Sequence, residues 1–347
     1  MDLYQQPFAA RLNWLEQLAA RHSKAFIASS AERERYLQQH PTKLIALKCM
    51  DGRIHLPHAT QTPLGIIQPY RNLGGIFDLG WPYLGDMLCD DINQALAAGR
   101  PVLVLITYHY SAGDKWRGCA GFHCDRAAAL AQALQIRDQL QYLFADNAQC
   151  YALVAGFETD SDALVLHGST GRMLDLSQYS PAIHEALPAL LQQLCPALPA
   201  AIQVDLLPLL YGNLQHSALQ RQQRRQLDIE HREWILCLGR GFDFLHVPNI
   251  ALIIGPFSPD LSQPVKKAAA IIRNNISNGR ILADGVLLLA SVPYLEDGAD
   301  RKRAELKAAF FCQFAKAVIA EAEPTLIPQL QSRSAVMYWP ERRLEWL

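Results

Sequence analysis

The stretch LIALKCMDGRIHLP (44–57) can be set above ILCLGRGFDFLHVP (235–248) without a gap, and PVLVLITYHY (101–110) above GVLLLASVPY (285–294). Each pair shares a short, continuous apolar run with the length of a strand buried on both faces. His55 matches His246, Pro57 matches Pro248, and both second strands end in tyrosine, Tyr110 and Tyr294. Helical segments lie between the strands. DMLCDDINQALAAG is stopped by Gly99, and AAALAQALQIRDQLQYLF (127–144) is amphipathic. Strands alternating with helices predict an α/β fold with a mainly parallel sheet. The repeat predicts that the module occurs twice, the second copy forming an internal pseudo-dimer with the first.

The expected division is a helical segment at 1–42, a first module at 43–195 and a degenerate second module at 196–347. FAARLNWLEQLAA and SSAERERYLQQH have helical spacing and end at Pro41. A Gly/Pro-rich stretch, TPLGIIQPYRNLGGIFDLGWP, reads as a connection. YALVAGFETDSDALVLHG (151–168) reads as a β-hairpin whose turn carries Glu158, Asp160 and Asp162. Their spacing is not that of an EF-hand loop, so a solvated turn is expected. Residues 196–230 read as helical, with QRQQRRQ as an exposed basic face.

Charge narrows the function classes. Against 33 acidic residues stand 32 basic ones, a net charge of −1. There is no basic field to hold nucleic acid or an anionic membrane. No apolar run has the length of a membrane helix, and the first residues do not read as a secretory signal, so a soluble cytoplasmic protein is expected. Eight cysteines are scattered along the chain. This is not a secreted disulfide framework and fits reduced thiols or metal ligands.

The differences between the repeats point to chemistry. Cys49 is matched by Arg240, Asp51 by Phe242, Arg53 by Phe244 and His109 by Pro293. The apolar frame survives while these polar residues disappear together. Cys49 and His109 both fall at the C-terminal ends of predicted strands, the edge where open α/β sheets gather ligands. The loop after His109 returns Cys119, making a Cys₂His set of the kind that holds catalytic zinc with a fourth position open. A local chelate of Cys119, His123 and Cys124 and a pair of buried core thiols are the alternatives. Asp51 fits as an acceptor beside an open metal position. Arg53 fits as its planar two-point partner.

Cys-x-Asp-x-Arg, followed some 60 residues later by His and then Cys, resembles the β-class carbonic anhydrases, whose usual pattern is CxDSR and a close HxxC. Here Gly52 replaces the serine, and nine residues separate His109 from Cys119. YRNLGG (70–75) resembles the family's Arg-Asn segment between the ligand strands. TYHYSAGDKWRGCAG and the degenerate second copy resemble the carboxysome shell branch. The chain is shorter than that enzyme and lacks its long N-terminal extension, so a stand-alone relative without carboxysome packaging is expected. The resemblance implies one zinc ion per chain on Cys49, His109 and Cys119, with Asp51 and Arg53 as the catalytic dyad. It implies reversible hydration of CO₂ to bicarbonate by zinc-bound hydroxide, and an apolar wall for which Ile76, Phe77 and Leu79 are candidates. His55, His58 and His123 are expected to be structural or solvated, and Tyr108 and Tyr110 to shape the strand end. Other readings are a zinc hydrolase acting on CS₂ or COS, a catalytically inert bicarbonate or CO₂ sensor, and an assembly protein. Homo-oligomerisation is left open.

Overall fold

The structure is a computed structural model, and it describes residues 2–222, 231–245 and 249–347. Part of the basic run QRQQRRQ, together with His246 and Pro248, lies outside the described residues. The chain forms two compact units. One comprises Ala31–Cys49 and Ile54–Ile229; the other comprises Met1–Ser30, Met50–Arg53 and Glu230–Leu347.

In chain order, helices α1 (Phe8–Ala28) and α2 (Ser30–Gln39) lead into β1 (Lys43–Cys49) and the short α3 (Leu56–Ala59). β2 (Ile67–Asn72), α4 (Leu84–Ala97), β3 (Val102–Tyr110) and α5 (Arg126–Leu143) come after them. Next are β4 (Cys150–Glu158), β5 (Ala163–His167), β6 (Met173–Asp175), α6 (Leu187–Leu194) and α7 (Ala200–Gln222). The second sheet's unit contains β7 (Ile235–Gly239), β8 (Ala251–Ile254), α8 (Ser262–Ser277), β9 (Val286–Tyr294) and α9 (Ala299–Ala322). It closes with β10 (Leu330–Tyr338) and β11 (Arg343–Trp346). Helix α1 belongs to this unit, whereas α7 belongs to the unit of the first sheet.

The first sheet has the order β2-β1-β3-β4-β5-β6 and the second β11-β10-β9-β7-β8. In each, four strands run parallel and the next pairs antiparallel. β1 and β3 are buried on both faces, as their unbroken apolar sequences require. Beside them, α5 begins where Asp125 accepts hydrogen bonds from the Ala127 and Ala128 amides.

The two sheets are copies in register as well as in order. Leu44 pairs with Leu103 where Ile235 pairs with Leu287. Val102 pairs with Cys150 where Val286 pairs with Leu330. Glu158 pairs with Ala163 where Tyr338 pairs with Arg343. The turns 159–162 and 339–342 have equal length, and Asp162 (φ 57°) and Arg342 (φ 51°) both adopt the left-handed conformation at their ends. The register reproduces the gapless alignment over the strand residues, 44–47 with 235–238. It also extends the repeat to the last residues of the chain, where the sequence shows no match. The Gly/Pro-rich stretch is not only connection: β2 lies in it, with Pro69 in the strand.

Candidate metal centre

β1 and β3 are adjacent and parallel, so Cys49 and His109 emerge at the same edge of the sheet. The segment after β3 forms a 3₁₀ turn at Lys115–Arg117, and then brings Cys119 to that edge. Cys49, His109 and Cys119 are all buried, and one ligand atom from each lies within 4.8 Å of the others. The Cys49 and Cys119 sulfurs are 3.9 Å apart. A disulfide needs about 2.05 Å. Two thiolates on one tetrahedral zinc at about 2.3 Å each stand about 3.8 Å apart. The donor set and its spacing therefore fit a zinc ion.

Close backbone approach builds this corner. Gly74 and Gly75 of YRNLGG have φ of 70° and 66°. A Cβ on Gly75 would stand 3.0 Å from the Thr107 carbonyl oxygen, and one on Gly121 would stand 2.6 Å from the Gly74 Cα. The glycine pair thus lets the Cys119 turn pack against the ends of β1 and β3. Asn72, which pairs with Cys49 across β1 and β2, donates its side-chain amide to the Ile76 carbonyl.

The local chelate of Cys119, His123 and Cys124 is not assembled. Cys124 directs its thiol to the Trp116 carbonyl oxygen, 3.3 Å away, and its amide to that of Cys119, 2.9 Å away. His123 and Cys124 both take left-handed backbone angles that turn the chain toward α5. His55 is buried and caps α3, its Nδ1 accepting from the His58 amide. The Tyr108 hydroxyl and His167 Nε2 are 2.9 Å apart, and the Tyr108 and Tyr110 rings stack. Burial pulls His167 down to about 4, assisted by Arg126 and Arg137. Burial likewise pushes Tyr110 up to about 12. Phe77 and Leu79 are buried and Ile76 is half-buried.

Asp51 and Arg53 belong to the unit of the second sheet. Their side chains are each 6% exposed and joined by a fork. Arg53 Nε lies 3.0 Å from Asp51 Oδ1, Nη2 lies 2.6 Å from Oδ2, and the Arg53 amide donates to Oδ1 at 2.8 Å. Gly52 lies between them against Asn249 and Ala251. A Cβ there would meet the Asn249 side-chain oxygen at 2.2 Å and the Ala251 carbonyl oxygen at 2.7 Å. The serine of the β-class pattern does not fit this backbone, which accounts for glycine.

Three residues were missed in the sequence. Lys48 is buried and donates Nζ to the Ile54 carbonyl at 2.6 Å, tying the ends of the CMDGR turn together. Its only signal was a lysine inside an apolar strand. His231 and Glu233 extend the dyad: Arg53 Nη2 faces His231 Nε2 at 3.4 Å, and His231 Nδ1 faces Glu233 Oε1 at 2.9 Å. The carboxylate fixes the tautomer, with Nδ1–H donating to Glu233 and Nε2 accepting from Arg53. Burial acts to lower the His231 pKa, but the Glu233 carboxylate outweighs it and the net direction is upward.

Among the described residues the strand ends of the second sheet hold no thiol–imidazole cluster; the other group near enough to share a metal is Asp51, His231 and Glu233, already tied together around Arg53. Arg240 and Pro293 stand at the places of Cys49 and His109. β9 reaches α9 through residues 295–298 alone, whereas β3 reaches α5 through 111–125. The segment that carries Cys119 has no counterpart.

No family profile matches the chain, and no curated protein sequence matches it. Among solved structures, that of the β-carbonic anhydrase CcaA is similar over 48% of this chain and 99% of its own, with 12% identity and a TM-score of 0.34.

Proposed function

We propose that this chain is a zinc enzyme that interconverts CO₂ and water with bicarbonate and a proton. The observation that supports it is the convergence of two thiols and an imidazole at one sheet edge, with sulfurs at the spacing of a tetrahedral metal. Zinc, when bound there, supplies Lewis-acid activation of water near neutral pH. Asp51 comes two residues after Cys49, and the resemblance to the β-class pattern would give it the role of acceptor for the reacting water. Arg53 engages both carboxylate oxygens and fixes the orientation of Asp51. His231 and Glu233 hold the far side of that guanidinium. The proton released passes to buffer. Thiol ligands of this kind require a reducing compartment.

The test is stopped-flow CO₂ hydration on reduced protein with zinc counted in the same sample. About one zinc per chain with rapid hydration, both lost in Cys49→Ser, is expected. A zinc-loaded chain that hydrates no CO₂ at any pH overturns the proposal and directs the assay to CS₂ and COS.

A further inference from the structure

The turn between β4 and β5 is not the solvated loop its acidic sequence suggests. Glu158 is 5% exposed and Asp162 6%. Glu158 accepts from the amides of Asp160 (2.8 Å), Ser161 (2.9 Å) and Ala112 (3.2 Å) and from the Ser161 hydroxyl (2.6 Å). Asp160 accepts from the Ser111 hydroxyl, 2.8 Å to Oδ1, and from the Gly113 amide at 2.6 Å. Ser111 Oγ in turn accepts from the Asp114 amide at 3.1 Å, and the Asp114 carboxylate caps the 3₁₀ turn Lys115–Arg117. The turn is itself braced by α7: His216 Nε2 meets Asp162 at 2.9 Å, and Asn213 donates to the Asp162 carbonyl at 2.8 Å. Among the described residues, the side-chain hydrogen bonds that Glu158 and Asp160 accept from beyond their own turn come from the segment between His109 and Cys119.

The second copy supplies an independent observation. Its register places Tyr338 where Glu158 stands, Pro340 where Asp160 stands and Arg342 where Asp162 stands. The turn keeps its length and its left-handed last residue, so folding the hairpin does not demand the carboxylates. They are absent from the copy that also lacks the three ligands and the ligand-bearing segment.

We propose that Glu158 and Asp160 are positioning residues of the metal centre. They clamp the Ser111–Gly113 bend so that the segment beyond it presents Cys119 to Cys49 and His109. This rests on the metal-binding reading above. The test uses the full-length reduced chain, metal-free and loaded with zinc or cobalt(II). Zinc affinity by chelator competition, the thiolate-to-cobalt absorption band and the metal-free urea midpoint are measured for the wild type, Asp160→Ala, Asp160→Asn and Ser111→Ala. Asp160→Ala and Ser111→Ala are expected to weaken zinc about 10- to 100-fold and to shift the cobalt band. Asp160→Asn, which keeps one acceptor oxygen, should recover part of the loss. Wild-type affinity and spectrum in both variants overturn the proposal. So does an affinity loss matched by a fall in metal-free stability with an unchanged cobalt band, since that is a purely structural role. If Asp160→Ala does not fold, Ser111→Ala decides from the opposite side of the same hydrogen bond. A wild-type chain that binds neither metal, or binds it without Cys49, overturns the metal centre itself, a result distinct from the others.

Discussion

At the scale of single residues, the CMDGR turn concentrates several constraints in a few positions. A buried ion pair contributes little over apolar packing, but removing one partner leaves a charge uncompensated. Arg53→Met is therefore expected to cost about 3–5 kcal/mol in urea unfolding, and Asp51→Leu combined with Arg53→Met distinctly less. Equal cost in the single and double variants would show that the fork in Asp51–Arg53 is not what the site depends on. Gly52→Ser forces a Cβ against a carbonyl oxygen and should cost about 1–3 kcal/mol by the same measurement. His167 sets a pH dependence. Its folded pKa lies near 4, below the ordinary histidine value, so the unfolded chain binds the extra proton first. The stability it contributes is present above pH 6.5 and is lost as pH falls toward 4. His167→Asn should flatten that part of the urea-midpoint profile relative to the wild type.

At the scale of elements, the site is made by the segments beyond the strand ends. β1 and β3 deliver Cys49 and His109 because parallel neighbours end at the same edge. The third candidate ligand, Cys119, depends on a loop, and that loop is held by caps and by glycine packing. Asp125 closes it by capping α5 through the Ala127 and Ala128 amides, at 2.8 and 3.1 Å. Asp125→Ala should cost about 1 kcal/mol, and Asp125→Asn much less, in thermal or urea unfolding. The strand pattern of this region was readable because continuous apolar runs have one physical use in an α/β chain. β2 was not, since Pro69 and the flanking glycines carry a turn signature that pairing with β1 at the sheet edge overrides. The acidic turn was misjudged for a related reason. Local composition favours exposure, and only the approach of 111–113 and α7 makes those carboxylates structural acceptors, with Glu158 and Asp162 buried.

At the scale of the whole molecule, the chain is one module written twice, with the Cys49–His109–Cys119 cluster in the first copy. Sheet order, pairing register and the closing hairpin agree between the copies. The metal count should therefore be one per chain rather than two. Restoring the first two ligand types to the second sheet, by Arg240→Cys together with Pro293→His, should not raise it, because residues 295–298 offer no third thiol. Metal analysis of that double variant checks the statement. Stoichiometry near two would mean that the second sheet retains a usable site.

The sequence by itself determined the α/β class, the duplication through β3 and β9, and the candidate ligands. Buried strands must be apolar, and polar residues at their ends stand out against their degenerate partners. Tertiary structure alone decided the rest. It brought the sulfurs to 3.9 Å, placed Asp51 and Arg53 in a fork with His231 and Glu233 behind it, and carried the repeat through β10 and β11. These arise from contacts between residues far apart in the chain, and from backbone packing that no local pattern encodes.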